Sequence, residues 1–353
     1  MRRLPQRPLS GGPGTDSLWR RKMHSAACVS RTLLAIPIAS GLVIGMLSGP
    51  AHAQESSSPD GASSASETKA NEALAERALD RLLVTTGVVL LPKGYFEVEP
   101  GFLYVRNEES SPAVVTYGTG AVFVAEQRIN EDTVELFAQL RLGLPGDMQL
   151  EVDVPYERVR QQQVTDVALA PQANGTAALS GLGDIVPGIA KTLMTEAPGR
   201  PNLVARLSWY TDTGRTDPRQ GLYTGSGYDA ARLSLLATKR QDPLVFLGGP
   251  FYQRSFEEHG LRQGDQIGGS FGVALAASPE TSLRVVLDET FVRDTESHRT
   301  VLGGTEQNIG VLTLGASTTL HVGVFLDFAI QAGLTHDAPA LGAGVSFSMR
   351  FHL

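Results

Sequence analysis

A chain of 353 residues, 42% hydrophobic and 19% charged, has room for one large or two ordinary domains. It is acidic, with 30 Lys and Arg against 37 Asp and Glu, and it shows no basic stripe, which excludes nucleic acid as a partner. A single cysteine, Cys28, excludes a disulfide framework and a thiolate metal site, and no cofactor motif stands out.

At the amino terminus Arg20, Arg21, Lys22 and Arg31 precede an apolar run from Leu33 to Leu47, and Ala51-His52-Ala53 follows. That order is the one of a secretory signal peptide cleaved after Ala53. A transmembrane anchor fits less well, because the run is shorter than the ~20 residues a span needs and Pro37 interrupts it. Met23 is an alternative start. Cleavage removes Cys28, seven basic residues and one acidic residue, which moves the formal net charge from −7 to −13.

Residues 54–92 form a leader, Ser-rich to about Ser66. Over 67–84 the apolar residues Leu74, Ala78, Leu79, Leu82 and Leu83 follow a helical spacing, and Ser64-x-x-Glu67 matches a capping box. Such a helix either plugs a lumen or hangs loosely in the periplasm.

After Pro92 the period changes to two. The segments 133–144, 148–158, 202–211, 268–278, 281–290, 320–331 and 341–353 alternate apolar and polar residues, as strands with one apolar face do. Tight connections are expected at Pro145-Gly146-Asp147, at Ala197 to Pro201, at Asp242-Pro243, at Ser278-Pro279-Glu280 and at Ser317-Thr318-Thr319. Longer polar connections fall at about 159–183, 214–226, 257–265, 295–305 and 333–340. Short and long connections alternate, which is the pattern of an outer-membrane barrel with periplasmic turns and extracellular loops. The stretch 121–129 then belongs to the first extracellular excursion or extends the second strand, since counting it separately would give 13 strands. The fold expected is an all-β, transmembrane, antiparallel up-and-down barrel of about 12 strands over 93–353.

A soluble sandwich or lipocalin-like barrel would expose its polar face and use strands of five or six residues. Here segments reach about 12 residues, near the 9–11 that cross a bilayer. Tyr156, Trp209, Phe291 and Phe328 gather where strands enter the long connections, as an interfacial girdle does. The apolar face therefore meets outer-membrane lipid. A closing strand that ends on apolar residues, here Phe351 and Leu353, is also what barrel-assembly machinery reads.

The stretches "LLPKGYFEVEPGF", "LRLGLPGDMQLEVDVPY" and "GLGDI", in that order, resemble the outer-membrane family associated with meta-pathway degradation of phenols. The resemblance covers roughly residues 80–353. It implies a barrel that moves aromatic or other small hydrophobic solutes, and it carries over no binding residues. The chain departs from the pattern at Lys191, which falls in the apolar phase of its strand, and at the terminal Leu353. Gly181-Leu182-Gly183-Asp184 is not a phosphate loop, because Pro187 follows and no Lys is suitably spaced. Asp184 is instead expected to turn inward as its strand starts.

Alternation puts Glu135, Gln139, Arg141, Glu151, Asp153, Arg206, Ser208, Arg232, Asp288, His321, Asp327, Arg350 and His352 in the lumen. Both signs are present, so no single-sign filter is expected, and these charges must pair or be hydrated. If Ala332 faces Leu341, then Asp327 faces Ser346, Gly323 faces Arg350 and His321 faces His352 inside the periplasmic mouth. An outer-membrane hydrolase is the enzymatic alternative, but no Ser, His and acid form a recognisable triad, and Glu296-Ser297-His298 is a local coincidence. A structural or receptor barrel with a largely filled lumen is the remaining alternative.

Overall fold

The computed structural model describes residues 83, 88–116, 122–166, 173–217, 219–278 and 280–353. The signal segment, and all of the expected 67–84 helix except Leu83, lie outside them. Twelve strands form the wall. They are β1 (Tyr95–Thr116), β2 (Val122–Leu144), β3 (Met148–Asp166), β4 (Val186–Met194), β5 (Asn202–Tyr210) and β6 (Ala230–Gln241). The second half comprises β7 (Leu244–Ser255), β8 (Gln266–Ala276), β9 (Thr281–Val292), β10 (Gln307–His321), β11 (Val324–Gly333) and β12 (Leu341–His352).

Each strand pairs antiparallel with the next in sequence, and β1 closes on β12 from Tyr95↔His352 to Arg106↔Leu341. Closure leaves the twelve-stranded wall without a free sheet edge, as a barrel that crosses a membrane requires. The stretch 122–129 is the upper part of β2, paired with the end of β1. Twelve strands is therefore the count.

The outer face carries Leu136, Leu150, Leu207, Leu233, Phe271 and Leu287, all exposed large apolar side chains. Such a belt on a closed barrel is a lipid surface. Tyr156, Trp209, Tyr252, Phe256 and Phe291 are exposed near the long-loop end, and the Trp209 and Phe256 rings stack at 5.2 Å. Lys191 is exposed on the outer face one register step from the Pro145-Gly146-Asp147 turn, where its ammonium can snorkel to the interface.

Two expectations are corrected. The turn expected at Ser317-Thr318-Thr319 lies four residues later, at Val322-Gly323, so the strand expected over 320–331 is Val324–Gly333. β-Branched Thr318 and Thr319 sit well in a strand, whereas Gly323 supplies the positive φ of 78° that a tight turn requires. Val322, 86% exposed, is an apolar residue at a turn, which is why the break is not visible in the pattern. The long connections also contain structure of their own. A strand over Ala173–Leu182 extends the sheet on β3, Thr216–Asp217 pairs with Leu222–Tyr223, and Leu261–Arg262, Glu296–Ser297 and Thr300–Val301 form a small three-stranded sheet.

At the turn end, the segment before β1 enters the barrel. Leu83 and Val88 pack against Val245, Leu247 and Ala274 on the inner wall, and Leu90 packs against Ala190 and Val204. The Leu91 N–H donates to Gln149 Oε1 at 2.7 Å, and Asn202 Nδ2 donates to the Val88 carbonyl at 2.8 Å. The four apolar residues Val88 to Leu91 thus form a stopper inside the turn-end mouth.

Candidate functional site: the barrel lumen

Period-two strands send alternate residues inward, so each strand contributes one column to the lumen. Arg141 is the centre of one wall. Its Nη1 donates to Glu97 Oε1 at 2.6 Å and lies 2.9 Å from Glu99 Oε2, and its Nη2 donates to Gln139 Oε1. Arg350 reaches the other oxygen of Glu97 through Nε and Nη2, at 3.0 and 2.9 Å, while the Ser346 hydroxyl donates to Glu99 at 2.6 Å. On the far side Arg206 holds Glu151, with Nε 2.8 Å from Oε2, and Gln149 Nε2 donates to Glu151 Oε1 at 2.7 Å. Gly188 on β4 stands between Glu151 and Ser208, and Arg206 on β5 reaches across β4 to Glu151. Charges and hydrogen bonds run unbroken from β12 through β1, β2 and β3 to β5.

The facing wall is organised differently. Arg284 on β9 and Asp327 on β11 are both almost wholly buried, yet Nη1 and Oδ1 are 3.9 Å apart, beyond hydrogen-bonding distance. Toward the long-loop end, Arg232 donates through Nε to Gln253 Oε1 at 2.8 Å, and its guanidinium lies over the rings of Phe251 (4.4 Å) and Tyr210 (5.1 Å). Two glycines give the aromatic rings room. A Cβ at Gly101 would lie 2.1 Å from Phe137 Cζ, and one at Gly268 would lie 2.6 Å from the Phe251 ring. These rings lie flat on the wall rather than crossing the lumen.

Between the walls lies a cavity of about 260 Å³, with Val88 in its lining and polar and apolar side chains together around it. Of the residues expected inside, Glu135, Gln139, Arg141, Glu151, Asp153, Arg206, Ser208, Arg232 and Asp288 line it. Asp327 is buried in the wall beside Arg284, and Arg350 sits on Glu97 nearer the turn-end rim. The expected register of β11 on β12 is present, with Ala332↔Leu341 and Asp327↔Ser346. Its last step is not. Because the chain turns at Val322-Gly323, His321 ends β10 and pairs with Val324, while His352 pairs with Tyr95 across the closure, their rings 4.9 Å apart. Both histidines are exposed at the rim, and they do not face each other.

Alternation could also have yielded Arg284, which shares the parity of Asp288 on β9. Glu97 and Glu99 are hidden because Pro100 and Gly101 interrupt the pattern of β1. Asp184 is buried at the long-loop end and turns inward. It accepts hydrogen bonds from the Gly214 N–H at 3.0 Å and from the Ser226 hydroxyl at 2.6 Å, fastening the 214–226 loop over the barrel. In the Glu296-Ser297-His298 run the Ser297 hydroxyl lies 3.2 Å from His298 Nδ1, but Glu296 turns to Arg262, 3.6 Å away, and so does not orient the imidazole.

The family model described as "Putative MetA-pathway of phenol degradation" matches residues 81–351. The chain belongs to that family. No curated protein matches it. Among solved structures, an outer membrane channel from Pseudomonas putida F1 is 13% identical, covers 75% of this chain and 98% of its own, and superposes with a TM-score of 0.58. The two share a fold. The Pseudomonas putida toluene transporter TodX and a Pseudomonas aeruginosa FadL homologue are 9% and 10% identical. They cover 75% and 73% of this chain and 90% of their own chains, and both have a TM-score of 0.37.

Proposed function

We propose that this barrel is a route across the bacterial outer membrane for small, largely apolar aromatic compounds, and that it is not an enzyme. The observation that carries the reading is the cavity between the two walls, in which Phe137, Phe251, Pro155, Pro250 and Val286 lie among charged groups. That mixture suits a small ring with a polar edge, because apolar surface orients the ring and a few polar groups fix it. Membership of a family described by phenol degradation supports it, as does a fold shared with an outer membrane channel. The exported, lipid-belted chain matches the localisation such a route needs, with a signal peptide cleaved after Ala53 and insertion by the barrel-assembly machinery as its proposed history.

Deleting the gene is expected to slow uptake of phenolic solutes by intact cells, and restoring it to recover the rate. Unchanged uptake across a panel of aromatics, together with no conductance of the purified barrel in planar bilayers, would favour a structural barrel with a filled lumen.

A further inference from the structure

The outer face repeats a small pattern where the lipid belt ends. Four of the six strands that run toward the long-loop end carry an aromatic residue and, two positions on, an arginine. They are Tyr104 and Arg106 on β1, Tyr156 and Arg158 on β3, Tyr252 and Arg254 on β7, and Phe291 on β9 with Arg293 just past its end. Val105, Glu157, Gln253 and Val292 between them are buried, so each pair shares the outward face. A finer arrangement occurs twice. Asp132 on β2 stands between Arg106 on β1 and Arg160 on β3, and its carboxylate accepts the Tyr104 hydroxyl at 2.6 Å. Halfway round the wall Asp265 lies one step beyond the Gln253↔Gln266 pair, beside Arg254, and its carbonyl accepts the Arg293 N–H at 3.0 Å. Its carboxylate accepts the Tyr252 hydroxyl at 2.7 Å and an Arg262 N–H at 2.8 Å. Arg106 turns to Glu108 at 2.6 Å. Arg158, Arg160, Arg254 and Arg293 are exposed, and none of these four side chains has a hydrogen bond or ion pair among the described residues.

We propose that these two clusters bind the phosphate groups of the glycolipid that forms the outer leaflet, one site on each side of the barrel. The inference rests on an outer-membrane placement with the long loops outside, and it is independent of what passes through the lumen. The aromatic rings of a girdle lie at headgroup depth. Two further residues add about 7 Å along a strand, which sets the arginines level with the sugar phosphates of that leaflet. A guanidinium fork matches two phosphate oxygens at once. Each cluster sets one aspartate against two unpaired guanidinium groups, Asp132 against Arg158 and Arg160, and Asp265 against Arg254 and Arg293, so the attraction to an anionic leaflet is kept. Other headgroups fit worse. A zwitterionic lipid brings an ammonium with each phosphate, and an uncharged glycolipid leaves all four guanidinium groups without an anion.

The test is native mass spectrometry of the purified full-length barrel in detergent, with a chelator present so that no divalent cation bridges the partners. The probes are lipid A bearing both phosphates and the same lipid after dephosphorylation. Two molecules of the phosphorylated lipid are expected per barrel, each preferred over the dephosphorylated one by about fivefold for every unpaired arginine in its site. Arg254→Gln with Arg293→Gln should leave one such site, and adding Arg158→Gln with Arg160→Gln should leave none, with heat-modifiable gel mobility reporting that each variant is folded. Removing the same number of charges from the exposed loops, by Arg219→Gln with Arg299→Gln, should leave both sites. Equal binding of the two lipids, or a number of sites unmoved by the outer-face substitutions, overturns the proposal. Loss of both sites in the loop variant overturns it too, since net charge alone would then account for the binding. Displacement of the lipid by an equal concentration of inorganic phosphate overturns the lipid as the source of the anion. Solute uptake enters none of these readouts, so each of these failures leaves the permeation reading as it stands.

Discussion

The two walls of the lumen are built from the same kinds of side chain and end in opposite states. From β12 to β5, Arg141, Arg206 and Arg350 lie within 3 Å of Glu97, Glu99 and Glu151, and glutamine and serine side chains fill further positions. On β9 to β11, Arg284 and Asp327 stand 3.9 Å apart with guanidinium and carboxylate atoms unmatched. The first arrangement fixes the barrel's shape. The second leaves hydrogen-bonding capacity buried and unmatched within the wall. Whether a buried charge is paired or stranded thus depends on how fully its neighbours answer it, and the residue type alone does not reveal this.

The contrast can be broken by mutation, most severely on the closed wall. Arg141→Met strands Glu97 and Glu99 without their nearest cation and is expected to cost on the order of 3–5 kcal/mol, read from urea unfolding in lipid vesicles. A smaller loss follows from Gln149→Ala. It frees the Leu91 N–H and leaves Glu151 Oε1 with only its bond from Arg206 Nη2, costs about 1–3 kcal/mol, and loosens the Val88–Leu91 stopper, so single-channel conductance should rise. Conductance that stays at the wild-type level would show that the stopper is held by its apolar packing alone. Least affected should be the double replacement Arg284→Met with Asp327→Leu, since exchanging a poorly bonded buried pair for apolar residues is near neutral, within about 1 kcal/mol. A loss as large as that of Arg141→Met would mean that the open wall is as structural as the closed one.

Much of this architecture is legible in the residues. A period of two sustained over about ten residues determines strand and face together, which is why Arg141, Glu151 and Arg206 are found inside and Leu136 and Leu207 outside. The register of β11 on β12 follows from the same parity. Legibility fails where a residue's local character opposes its place. Ser317-Thr318-Thr319 looks like a polar break and is strand, Val322 looks like strand and is turn, and the expected histidine pair is lost with that one misplaced turn. The stopper fails for another reason: Val88 to Leu91 are uniformly apolar, so no period tells a segment inside the barrel from one in its wall. Pairing geometry within the lumen is also invisible at this level. Parity reveals that Arg284 and Asp327 face inward, and only coordinates reveal that they do not bond.

The central claim is that aromatic solutes pass through the lumen between these walls, and a cysteine placed there tests it most directly. Ser208 lines the cavity, and its neighbour Leu207, 51% exposed, faces lipid on the same strand. In a Cys28→Ser background, Ser208→Cys treated with a bulky charged methanethiosulfonate should lose uptake of phenolic solutes by intact cells, while Leu207→Cys treated alike should keep it. Full uptake after complete labelling of Ser208→Cys would contradict the account, because the solute would then be crossing the membrane by some path other than this lumen.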